Sequence, residues 1–131
     1  MDCHADLILV LPGSDSLYEM EWNQMISFLS DLVGRLDIDS GSTRVAALSY
    51  STAINSFNLN AHQSVASVQS AIASLRPTSS KDGADIAKAL AYVRTTMLTS
   101  AAGDRSDEPN VVFVITDGRS TNTASTRVCT V

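Results

Sequence analysis

The sequence predicts an α/β domain: a mostly parallel sheet with one antiparallel edge strand and helices on both faces. Three observations predict it. Two continuous apolar runs, Leu7 to Leu11 and the "VVFVIT" of Val111 to Thr116, have the pattern of strands covered on two faces rather than one. Between them, three segments repeat apolar residues at steps of three and four, as helices do when they bury one face. The resulting order of strand, helix, hairpin, helix, helix and strand is that of a sheet wrapped by crossover helices. With 131 residues, 44% of them hydrophobic, the chain is long enough to bury one core unaided.

Taken in order, the first strand breaks at Pro12-Gly13 into the polar cluster Ser14, Asp15 and Ser16. Trp22, Met25, Ile26, Leu29, Leu32, Val33 and Leu36 then share one helix face, with Gly34 near the end of the helix and Gly41 in the turn beyond. On that stripe Trp22 is a core residue. "TRVAALSYS" from Thr43 and "AINSFNLN" from Ala53 read as two strands joined by a hairpin-like turn, hence antiparallel. A second helix through Val65, Val68, Ala71, Ile72 and Leu75 is stopped by Pro77, and the Ser-rich "TSSKDG" follows as a loop. The third helix starts at about Asp85 and turns Ile86, Ala89, Leu90, Val93 and Met97 inward. An acidic loop, "GDRSDEPN", leads to the last strand, which ends at Asp117-Gly118 before a Ser/Thr-rich tail.

Composition excludes several functions. The formal charge is −5, and the nine basic residues never cluster, which argues against binding a nucleic-acid backbone. No apolar stretch approaches the roughly 20 residues of a membrane helix, and Met1 to His4 lacks the features of a signal peptide. Gly13 to Ser16 is no G-x-S-x-G elbow, and neither a Walker-type loop nor a G-x-G-x-x-G follows a strand. A Ser14 nucleophile would need a base, and the two histidines, His4 and His62, read as a flanking and a solvated residue without metal-ligand spacing. The expectation is no catalytic residue and no enzyme.

In open α/β sheets, ligands sit beyond the carboxyl ends of the strands. Two loops answer to that place, Pro12 to Ser16 and Asp117 to Ser120. With the "KDGADIAKAL" stretch between them they resemble the von Willebrand factor type A domain. "ADLILVLPGSDS" looks like that family's first strand and D-x-S-x-S loop, and "TRVAALSYS" like its second strand. "DGADIAKAL" is similar to its G-G-T-N-T-G-x-A-L stretch, and "VVFVITDGRS" to its T-D-G-x-S strand end. The four fall in the family's order along nearly the whole chain.

The resemblance implies a Rossmann-like extracellular adhesion module with a metal-ion-dependent adhesion site on its top face. In family members with the site intact, an aspartate and two hydroxyls from the first loop, a threonine from the middle loop and an aspartate from the third hold a divalent cation. Carried over position by position, Ser14, Ser16 and Asp117 match, whereas Pro12 replaces the first aspartate and Ala84 the threonine. Magnesium wants near-octahedral oxygen ligands, commonly including one or two carboxylates. Two hydroxyls and one carboxylate fall short, so the expectation is no metal and no cofactor, with Ser14, Ser16 and Asp117 as a remnant that contacts a partner. The alternative is a Mg2+ site altered so that Asp15, Asp82 or Asp85 substitutes. Ser14 and Ser16 also suit helix capping or turn closure, and Asp117-Gly118 a simple strand exit.

The function that follows is a secreted protein-binding or matrix-organising module, its partners extracellular matrix or cell-surface proteins such as collagen. A spacer domain without a dedicated ligand is the rival reading, and the oligomeric state is open. The family continues past its T-D-G strand with two further strands and their helices. The tail from Arg119 is too short for these at about 11 residues per helix and about five per strand. Residues 1–131 would then be a single partial domain, truncated at its C-terminal side, with the last strand an exposed sheet edge.

Cys3 and Cys129 stand almost at the two ends of the chain. In a reducing compartment they read as incidental thiols, and in an oxidising one as a clasp. If the tail turns helical after Asp117, about ten residues descend about 15 Å, comparable to the rise of a five-residue strand. Cys129 then returns to the level of Cys3, and a Cys3–Cys129 disulfide is expected.

Overall fold

The computed structural model describes residues 4–12, 19–50, 54–75 and 86–115. Their elements are β1 (Ala5–Pro12), α1 (Glu19–Gly34), β2 (Thr43–Tyr50), β3 (Ile54–Phe57), α2 (Val65–Ala73), α3 (Ile86–Tyr92) and β4 (Asn110–Val114). The sheet order is β3-β2-β1-β4, with β1 parallel to both β2 and β4, and β3 antiparallel to β2. A mostly parallel sheet with an antiparallel edge strand is the predicted class.

The central position of β1 explains its sequence. Ile8, Leu9, Val10 and Leu11 are all fully buried, because strands flank both edges and helices cover both faces. Period-two alternation sends Leu9 and Leu11 into a cluster with Trp22, Leu29 and Val33 of α1 and Val68 and Ile72 of α2. Ile8 and Val10 enter a second cluster with Ile86 and Ala89 of α3 and with Val93 and Met97 beyond it. Each such side chain contributes about 1.5–3 kcal/mol on leaving water. Trp22 is buried as expected.

Helix α1 runs antiparallel to α2, and the Gln69 side-chain amide donates to the Ser30 carbonyl at 2.9 Å. α2 starts at Ser64, whose hydroxyl accepts from the Ser67 N–H at 3.2 Å, while the Val65 N–H is met by the Asp39 carboxylate at 2.9 Å. α2 has already ended at Ala73, ahead of Pro77. Helix α3 does not continue as one regular helix to Met97. After Tyr92 the chain widens into a π-helical turn over Val93–Met97, closed by the Leu98 N–H on the Val93 carbonyl at 2.8 Å.

The acidic loop before β4 is not merely solvated. Asp6, fully buried near the start of β1, accepts from the backbone N–H and the Nε–H of Arg105 at 2.7 and 2.8 Å. The remaining guanidinium donors reach the carbonyls of Gly41, Ala5 and Ser42 at 2.8–3.0 Å. Arg44 of β2 holds the same loop through the Gly103 carbonyl at 2.9 Å. Gly103 has φ +101°, and a Cβ there would lie 2.7 Å from the Asn60 nitrogen, so this position requires glycine on two counts.

The reading of "VVFVIT" as covered on two faces is corrected. Val111 and Phe113 are 46% and 39% exposed, while Val112 and Val114 pack on the α3 side. Among the described residues β4 is an edge strand, and Val111 and Phe113, in register with Leu7 and Leu9 on the α1–α2 side of the sheet, are left exposed at that edge.

Candidate functional site

The candidate site lies where the parallel strands end. In register, Pro12 of β1 stands beside Tyr50 of β2, which pairs with Ile54 of β3. On the other side the Ile115 N–H donates to the Val10 carbonyl at 2.9 Å, placing the exit of β4 next to that of β1. Because α2 starts at the opposite end, beside Asp39, its last residues finish at this end, where α3 also begins. The segments 13–18, 51–53, 76–85 and 116–131 therefore all attach to one end of the sheet.

That convergence was expected of the loops carrying Ser14, Ser16 and Asp117. These three, together with Asp15, Asp82, Ala84 and Asp85, lie outside the described residues, as do Cys3 and Cys129. What is described is the frame that holds their attachment points. Pro12 is buried and closes β1. Its missing N–H is tolerated because the ladder ends there, and its ring offers no oxygen to the mouth of the site.

Tyr50 is the frame residue that sequence reasoning missed. It is 1% exposed, and its hydroxyl donates to the Ile115 carbonyl at 3.3 Å, tying the end of β2 to the end of β4 across β1. The bond fixes the last described residue before Thr116 and Asp117. A tyrosine at the end of an apolar run is the one local signal, since its buried hydroxyl must find a partner.

Elsewhere, His62 packs edge-on against Phe57 with ring centroids 5.1 Å apart, so it is half-buried rather than simply solvated. His4 is exposed and stands 3.9 Å from Glu108. Among the described residues no three His, Cys, Asp or Glu side chains gather as a metal would require. No described helix is long and apolar enough to cross a membrane.

Known proteins share this frame. Matrilin-1 of Mus musculus is 35% identical over 119 residues, covering 88% of this chain and 23% of the relative. Von Willebrand factor of Rattus norvegicus is 28% identical over 112 residues, covering 85% of this chain and 26% of the relative. The chain thus spans about a quarter of the curated relatives it matches. Among solved structures, proximal thread matrix protein 1 from the mussel byssus superposes with a TM-score of 0.85 at 23% identity, over 92% of this chain and 32% of that one. These relatives are extracellular matrix and adhesion proteins. The family model described as "von Willebrand factor type A domain" matches residues 6–130, and with the strand order, the two-sided core and the strand ends that meet at one end of the sheet it places this chain in the von Willebrand factor type A domain family.

Proposed function

We propose that the domain is a secreted protein-binding module that engages extracellular matrix or cell-surface proteins without a bound cation. The observation that carries the reading is Pro12. The family's first metal-binding aspartate belongs at this position, and a proline stands there, buried at the end of the central strand. With Ala84 at the threonine position, the family's donors reduce to Ser14, Ser16 and Asp117, and such a set does not fit a hard divalent cation. The same end of the sheet then serves as a protein-binding surface through surface complementarity, with Ser14, Ser16 and Asp117 contacting the partner. The matrix and adhesion character of the relatives supports a matrix partner, with collagen the first candidate.

A second reading has one specific observation in its favour: a structure of the mussel thread protein carries a zinc-occupied MIDAS motif, and it superposes on this chain with a TM-score of 0.83. In that reading Asp15, Asp82 or Asp85 makes up the missing ligands.

Two measurements separate the readings. Binding to collagens and other matrix proteins is expected to be insensitive to chelator. Magnesium, manganese or chelator is expected to leave the melting temperature unchanged, because a ligand stabilises a fold only through binding to its folded state. The double change Pro12→Asp with Ala84→Thr is expected to create a metal-dependent rise. Saturable stabilisation of the unmodified chain by magnesium, abolished by Asp117→Ala, would overturn the cation-free reading.

A further inference from the structure

The charged residues of this chain are distributed very unevenly. From Val45 to Leu75 there is no Asp, Glu, Lys or Arg, so all nine basic and fourteen acidic residues fall outside a continuous stretch that includes most of β2 and all of β3 and α2. In the fold, β3 and α2 form one flank of the domain. β3 ends the sheet order, and among the described residues nothing pairs with its outer edge. Beside it lies an open groove of about 660 Å³ between β3 and α2, walled by Ser56, Phe57, His62, Ala66, Ser70 and Ser74. At the start of α2 the Asp39 carboxylate is engaged by the Val65 N–H.

From this we propose that the β3–α2 flank docks a second copy of the chain, the two β3 edges pairing antiparallel about a two-fold axis. Charge selects the occupant. Each copy carries −5, so like-charge repulsion opposes most approaches between copies, and it is weakest where both present the charge-free flank. A two-fold contact is self-complementary by construction, and an antiparallel edge strand can pair with its own symmetry mate. The groove beside each β3 then receives side chains from the partner's flank. A four-residue strand rises about 13 Å, and a nine-residue helix is about as long. The face is small beside the roughly 800 Å² per partner of a standard interface, so the association is concentration-dependent. β4 is the other edge, with Val111 and Phe113 exposed, but it leads directly into residues 116–131 of the same chain.

Sedimentation equilibrium of the full chain from micromolar to millimolar concentration tests the proposal. The weight-average mass is expected to rise from 13.9 kDa toward twice that value. Ser70→Glu and Asn55→Glu, both at exposed positions, are expected to hold it at the monomer value. An equimolar mixture of Asn55→Glu and Asn55→Lys is expected to restore the dimer, which a folding defect would not do. Phe113→Lys is expected to leave association unchanged. A wild-type chain that stays monomeric throughout overturns the proposal, even if its groove takes up an uncharged extended peptide instead. So does a dimer that survives both glutamate substitutions, or one that Phe113→Lys dissolves.

Discussion

Removing Arg105 tests the end of the domain opposite the candidate site. The Asp6 carboxylate is fully buried, and two side-chain nitrogens of Arg105 lie 2.8 Å from its Oδ1. In Arg105→Ala that charge keeps only the backbone N–H of residue 105, and three backbone carbonyls lose a donor. Breaking a buried pair from one side costs about 3–5 kcal/mol. For a chain of this length about 1 kcal/mol corresponds to roughly 3–5 °C, so the melting temperature should fall by about 10–20 °C. Urea unfolding followed by circular dichroism should show a lower midpoint with an unchanged slope. Replacing both partners, as in Asp6→Leu with Arg105→Met, removes the stranded charge and should recover much of the loss. A loss below about 1 kcal/mol in Arg105→Ala, or strictly additive effects in the double-mutant cycle, would refute the assignment of Arg105 as the compensating charge.

The other expectations concern single positions. Gly103→Ala combines a positive φ with a Cβ 2.7 Å from a backbone nitrogen, and should destabilise by more than about 1 kcal/mol in the same assay. Tyr50→Phe removes the hydroxyl bond to the Ile115 carbonyl and should cost about 1 kcal/mol, with faster hydrogen exchange at the end of β4. After oxidative folding, alkylation and mass measurement should find Cys3 and Cys129 joined, and two free thiols would refute the clasp.

How much was legible beforehand depended on the range of the interaction. β1 and β2 were readable because a strand covered on two faces must be apolar at every position, and the stripe through Trp22 marked α1 for a comparable reason. Asp6 and Arg105 were not readable. They are 99 residues apart, and each sits where a local pattern suggests solvent, one at the head of a strand and the other in an acidic loop. That β4 stands at a sheet edge was expected, whereas the exposure of Val111 and Phe113 was missed because an unbroken apolar run reads the same whether one face or both are covered. The π-turn was missed because Val93 and Met97 keep the step of four that an ordinary helix would show. For the site, the sequence pointed to the carboxyl ends of the strands, and the exits of β1, β2 and β4 do stand side by side, since strand exits follow from topology. Tyr50 escaped notice because its partner, Ile115, is 65 residues distant.

The two-sided core has an optical consequence. The chain has one tryptophan, Trp22, 6% exposed among the side chains of the α1–α2 layer. Its emission should be blue-shifted in the native state, and its red shift on unfolding would time the loss of that layer alone. The α3 layer holds Tyr50 and Tyr92, two of the three tyrosines, and in a Tyr18→Phe variant the tyrosine signal follows the opposite side of the sheet. Coincident tryptophan and tyrosine transitions would show the two layers melting as one cooperative unit, whereas separated transitions would show one face of the sheet peeling away before the other.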